Sequence, residues 1–261
     1  MTFDAFLARS APIVLADIIA TRGSTPRETG AFMLVSESGF WGTIGGGNLE
    51  FAALDRARAI LAGRAAEGAM TFTLGPDTGQ CCGGVVEIGL TRLDPPGKAA
   101  LRTRYLEQRR RHPDVFVFGA GHVGHALAVA LAPLPLRVVM VETRAGEMDD
   151  LPQPVEAHLV AIPESVVSDI RPGGAAIVLT HDHALDFLIA AAALERGDLT
   201  YVGMIGSKTK RGVFSNWLAR EGHDAALMDR LVLPIGGSVL RDKRPEVIAA
   251  LVAAEVLTAL L

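Results

Sequence analysis

Hydrophobic and polar positions divide the chain into two differently patterned stretches. Up to residue 93, short apolar runs alternate with Gly, Ser and Pro. The runs at 13–20, 31–35, 39–44, 69–74 and 85–90 predict strands. Residues 48–63 carry apolar side chains at helical spacing and end in Gly63, which predicts a helix with a glycine cap. Together these elements describe a small α+β domain with hairpin-type connections. Asp94-Pro95-Pro96-Gly97 then breaks the pattern. The Arg-rich stretch 98–111 predicts a charged helix with a solvated face that links the two halves, so the linker is bounded at 94–112.

From residue 113 onward the pattern changes. Continuous apolar runs at 115–118, 136–141, 157–161, 175–179 and 201–205 predict strands. Helical stretches at 123–131 and 187–196 alternate with them. Unbroken apolar strands between helices indicate βαβ units and a parallel sheet covered on both faces. The apolar stretch 247–261 is shorter than the ~20 residues that span a bilayer, and Glu255 interrupts it. It predicts a buried helix, not a membrane span, and its small residues suit an interface in a homodimer.

Composition narrows the function classes. Apolar residues make up 49% of the 261 and charged residues 21%, ordinary proportions for a globular protein. Charges of both signs are mixed and net to -4. No basic run interleaved with aromatics exists, which argues against nucleic acid as a partner. The two cysteines, Cys81 and Cys82, are adjacent. No disulfide framework is available, which fits a reducing compartment. The first residues lack the charged start and apolar run of a signal peptide, so a cytoplasmic protein is expected.

Several segments carry candidate chemistry. Gly119-Ala120-Gly121-His122-Val123-Gly124 follows a predicted strand and opens a helix. In that setting the first glycine permits a tight turn, the second lets a phosphate approach the backbone, and the third lets helix and strand pack closely. The fold class is therefore α/β, a C-terminal Rossmann-type parallel sheet with a smaller N-terminal α+β domain. Glu142 ends the next strand, about where a ribose-binding acid is expected, while Arg144 would suit a phosphate, and a capped strand end is the plain alternative. His181, Asp182 and His183 follow Thr180 at a strand's carboxyl end. A polar ligand contact fits them better than a dedicated metal site, because neighbouring strand-end residues rarely converge on one ion. Gly206 and Ser207, ahead of Lys208 and Lys210, read as an anion cradle or equally as a serine helix cap.

In the first half, Gly45, Gly46 and Gly47 precede a helix, where successive amides can form an anion nest or simply a tight turn. Ser24, Thr25 and Arg27 lie in another loop and can reach the same ligand. Gly79-Gln80-Cys81-Cys82-Gly83-Gly84 places two thiols among glycines that bare the backbone. A thiolate there suits a soft metal or the carriage of sulfur; the plain alternative is a buried, inert pair.

These segments, taken in order with Gly23–Glu28, Gly42–Gly47, Leu74–Pro76, Tyr201–Ser207 and Pro234–Gly236, resemble the XdhC/CoxI family over nearly the whole chain. The resemblance implies a protein that binds the molybdenum cofactor (molybdopterin), protects it, supports its sulfuration with a cysteine desulfurase, and inserts it into xanthine dehydrogenase. It implies an accessory protein and not a turnover enzyme. Cys81 and Cys82 would then contact the molybdenum–sulfur centre. Ser24, Arg27, Gly45, Gly46, Gly47, Gln80, Gly119, Gly121, His122, Gly124, Glu142, His181, Asp182, Gly206 and Ser207 would hold the rest of the cofactor. Leu233 stands where the purine branch often has cysteine, and Asn48 where histidine is common; Arg241–Glu246 fits the xanthine dehydrogenase branch. The rival readings are an NAD(P)-dependent oxidoreductase on the Rossmann domain and a metal-dependent hydrolase using His181, Asp182 and His183.

Overall fold

The computed structural model describes residues 1–9, 11–75, 83–237, 240 and 242–261. The chain divides into two compact units, Met1–Leu106 and Glu107–Leu261.

The first unit is built on an antiparallel sheet. Its strands are β1 (Val14–Arg22), β2 (Phe32–Ser36), β3 (Gly39–Gly42), β4 (Gly68–Thr73) and β5 (Val85–Arg92), in the spatial order β3-β2-β1-β5-β4. Helix α2 (Gly47–Leu61) packs on one face through Leu49, Ala53, Leu54, Ala57 and Ile60, a spacing that keeps them on one side of a helix. They meet Val14, Ala16, Met33, Val35 and Ile88. Leu34 lies one residue out of phase with Met33 and Val35, so it faces the other side. There it joins Phe3, Phe6 and Leu7 of the short helix α1 (Phe3–Leu7), which the hydrophobic pattern did not predict.

The predicted linker helix is α3 (Pro95–Arg110), and the boundary between the units falls within it. Its face is not wholly solvated. Leu101 is buried in the same cluster, and the Tyr105 ring stacks on Phe3 at 4.0 Å. One turn-spaced pair of apolar residues is enough to dock an otherwise charged helix.

The second unit is a six-stranded parallel sheet. Its strands are β6 (Asp114–Phe118), β7 (Arg137–Glu142), β8 (Glu156–Leu159), β9 (Ala175–Val178), β10 (Tyr201–Met204) and β11 (Leu231–Val232). The order is β11-β10-β9-β6-β7-β8. Alternate residues feed two cores, which is why the strands read as unbroken apolar runs. Val115, Val117, Met140 and Ile177 meet α4 (His122–Leu131) and α7 (Pro245–Leu260). Phe116, Phe118, Val139 and Val178 face the layer of α5 (His183–Arg196) and α6 (Lys208–Glu221). From β6 the chain winds one way through β7 to β8, and from β9 the other way to β11. The reversal lies between β6 and β9, and open α/β sheets bind ligands in the crevice at such a point. Among the described residues, no helix is long and apolar enough to cross a membrane.

Candidate functional site

The carboxyl ends of β6, β7, β9 and β10 bring together Gly119, Gly121, His122, Gly124, Glu142, His181, Asp182, Gly206 and Ser207. The three glycines of the first loop have separate physical roles. Gly119 has φ +116, and a Cβ there would lie 2.5 Å from the Leu179 carbonyl oxygen. Only glycine lets the loop after β6 press against the end of β9. A Cβ on Gly124 would collide with the Gly119 carbonyl oxygen, so this glycine sets the approach of α4 to the loop. At Gly121 an added Cβ would meet nothing within 4 Å beyond its immediate chain neighbours. Gly121 is the N-cap of α4 and offers no side chain to the first amides. Those amides, with the positive end of the helix, form a donor set suited to an anion. His122 is exposed beside them.

Glu142 is turned inward. Its side chain is 3% exposed. Oε2 accepts the Ala120 amide at 2.9 Å and Arg144 Nη2 at 2.8 Å. Oε1 accepts the Thr143 and Arg144 amides at 2.7 and 3.1 Å. Burial pushes this carboxyl up, but the Arg144 guanidinium and the amides of Ala120, Thr143 and Arg144 outweigh it and hold the group down at about 2. Glu142 thus ties the glycine loop to the end of β7.

The third strand end is organised by a buried ion pair. Asp186, fully buried, pairs with Lys210 Nζ, and Lys210 is 8% exposed. Asp186 Oδ1 also accepts the Thr180 amide at 2.9 Å and the Thr180 hydroxyl at 2.8 Å. Lys210 Nζ reaches the Ile205 carbonyl at 2.9 Å. The pair therefore fixes the loops that follow β9 and β10. His181 and Asp182 are exposed on the first of these loops, and His183 is exposed at the first position of α5. Asp182 is the N-cap of α5 and accepts the Ala184 amide at 2.7 Å. Ser207 caps α6 by accepting the Lys210 amide at 3.3 Å, and Gly206 packs on the Lys210 stem. The capping alternative holds for the Ser207 hydroxyl. Among the described residues, no group of three His, Cys, Asp or Glu side chains could hold a metal ion.

In the first unit the triple glycine makes a nest whose anion is internal. Gly45, Gly46 and Gly47 all have positive φ. The Ile44 and Gly45 amides donate to Glu50 Oε1 at 3.0 and 3.3 Å, and the Thr43 hydroxyl donates to the same oxygen. Burial raises the Glu50 carboxyl, but these donors and the Gly46 amide bring it below its ordinary value. Ser24 and Arg27 are exposed in the loop after β1. Gly84 lies against that loop so closely that a Cβ would be 2.7 Å from the Arg22 carbonyl oxygen. The Leu74 amide donates to the Gly84 carbonyl at 2.8 Å, which brings the ends of segment 75–83 together beside Ser24. Gln80, Cys81 and Cys82 lie within that segment; these three and Arg241 are outside the described residues.

Comparison with known proteins agrees with this architecture. Residues 115–256, over half of the chain, match the family described as the XdhC Rossmann domain. Residues 6–73 match the XdhC and CoxI family. The chain belongs to the XdhC/CoxI family. A curated relative is the uncharacterized protein YqeB of Escherichia coli (strain K12), 25% identical over 259 residues and 95% of this chain. The chain spans only 44% of the length of that relative. The fold is also that of a crystal structure described as a xanthine dehydrogenase from Bacillus halodurans. That structure superposes with a TM-score of 0.77 at 20% identity, covering 99% of this chain and 96% of the other.

Within this XdhC/CoxI chain, sequence reasoning missed two partnerships. Asp186 and Lys210 stand 24 positions apart, and only the fold joins them. Glu50 was visible as an acid in the first turn of a helix, a signal of favourable dipole placement. Its return to the preceding glycines was not.

Proposed function

We propose that this chain is an accessory protein in the maturation of a xanthine dehydrogenase, acting in the cytoplasm as a homodimer, and that the molybdenum cofactor is its cargo. It binds the cofactor, protects it, supports its sulfuration in concert with a cysteine desulfurase and delivers it to the molybdenum-binding subunit of the client. Membership of the XdhC/CoxI family supports the maturation role. The observation that carries the binding role is the donor set at the β6–β9 crevice. Uncapped amides at the start of α4 face open space at Gly121, with His122 exposed at the first position of that helix and His181 exposed on the loop after β9. That chemistry fits the phosphate of a pyranopterin. Cys81 and Cys82 supply soft sulfur donors for the molybdenum end.

The deciding experiment is acid release from the purified full chain. A fluorescent pterin in stoichiometric amount is the expected result, and protein that never carries or takes up a pterin refutes the binding role. The second reading, an NAD(P)-dependent oxidoreductase, has the strand order β11-β10-β9-β6-β7-β8 in its favour. Saturable, pterin-independent NADH or NADPH binding with turnover of a substrate would establish it.

A further inference from the structure

We propose that the Glu142–Arg144 pair is a specificity determinant that shuts ligands carrying an adenosine ribose out of the β7 side of the crevice, leaving the site to ligands that end in a single phosphate. The identity of the accepted ligand rests on the function proposed above. The exclusion of ribose stands on the contacts alone.

In dinucleotide-binding Rossmann folds, the acid at this strand end accepts the ribose hydroxyls. It needs free lone pairs to do so. A carboxylate has about four lone-pair sites. At Glu142, six donor groups already compete for them. Four are the amides and the Arg144 Nη2 described above. The others are the Thr143 hydroxyl at 3.1 Å and Arg144 Nε at 3.2 Å. Two nitrogens of one guanidinium face the carboxylate, an arrangement stronger than neutral hydrogen bonds. Arg144 is itself held on its far side by Glu147 at 3.3 Å. A ribose diol would have to displace the arginine and leave its charge without its main partner. The phosphate side of the crevice has no such obstruction, because the space around Gly121 is open.

The test titrates NADH, followed by fluorescence, and ADP-ribose, followed by calorimetry, into the full chain and its Arg144→Ala and Arg144→Gln variants. The wild type is expected to show no saturable binding. The variants remove two of the six donors and leave Oε2 with the Ala120 amide alone, so one lone pair there is freed, and they are expected to gain affinity by about 10- to 100-fold, the worth of a charged hydrogen bond. Circular dichroism checks that they fold. Wild-type binding of ADP-ribose that Glu142→Gln weakens would overturn the proposal, and so would folded variants that gain nothing. If neither variant folds, the wild-type titration decides alone. Acid release of pterin is read separately: no pterin together with a gain of ribose binding removes the cofactor and keeps the gate.

Discussion

At the scale of single residues, the buried acids decide how the crevice is held. Asp186 is fully buried and its charge is balanced by Lys210. Removing one partner leaves an uncompensated charge, which costs roughly 3–5 kcal/mol, whereas replacing both with apolar groups of similar volume is far cheaper. Lys210→Met is therefore expected to lower the urea midpoint sharply. Asp186→Leu combined with Lys210→Met recovers much of the loss. A double change that costs the sum of the two single changes would mean that the pair is not coupled. Glu142 makes a pH-dependent contribution. Its folded carboxyl is held at about 2, against an ordinary value of 4.5. A depressed carboxyl contributes stability that is complete above the unfolded value and lost as pH falls through the folded one. The contribution is about 3 kcal/mol at neutral pH. The stability gap between wild type and Glu142→Gln should be widest above pH ~4.5 and shrink toward pH ~2. Using the difference between the two proteins removes the background from Glu50 and Asp114, which are also depressed.

At the scale of elements, the loop from β6 to α4 separates folding from binding. Gly124→Ala places a methyl group into the Gly119 carbonyl, and overpacking of this kind typically costs 1–3 kcal/mol. Thermal unfolding should record it. Gly121 has φ -70, which alanine adopts freely, and room for a methyl group. Gly121→Ala should therefore unfold like wild type but retain less pterin on purification. A variant that is stable and fully loaded would move the phosphate away from α4.

Much of this element layer was legible in the sequence. Continuous apolar runs such as Val115–Phe118 reported burial on both faces, and the glycine spacing reported the turn. What escaped were features that depend on short range or on distant partners. Helix α5 begins at His183, four residues before the predicted Phe187, because Asp182 caps it. Read as ligands, those polar residues hid the helix start. Strand β11 has only two residues, Leu231 and Val232, too few to show a period. The internal anion of the glycine nest depends on a Glu50 rotamer, which no spacing rule encodes.

At the scale of the whole molecule, the proposed function assigns different tasks to different donors, and the assignment is separable. Under that proposal the loop between β6 and α4 would hold the polar end of the cofactor by backbone amides, which side-chain changes elsewhere leave intact. The sulfur end would depend on Cys81 and Cys82, which lie in the sequence between the two family-matched stretches. Exchanging a soft donor for a methyl group removes the metal contact without altering the amides. Cys81→Ala and Cys82→Ala should therefore still release pterin on acid treatment, while activation of the client xanthine dehydrogenase falls by about tenfold or more, the usual cost of losing a metal-site contact. Gly121→Ala should give the opposite signature: less pterin bound, and client activation reduced only in proportion to it. Thiol variants that lose pterin and activation together would make the sulfur atoms the primary anchor. Thiol variants that activate the client fully would remove sulfur handling from this chain and leave it a carrier of the phosphate end alone.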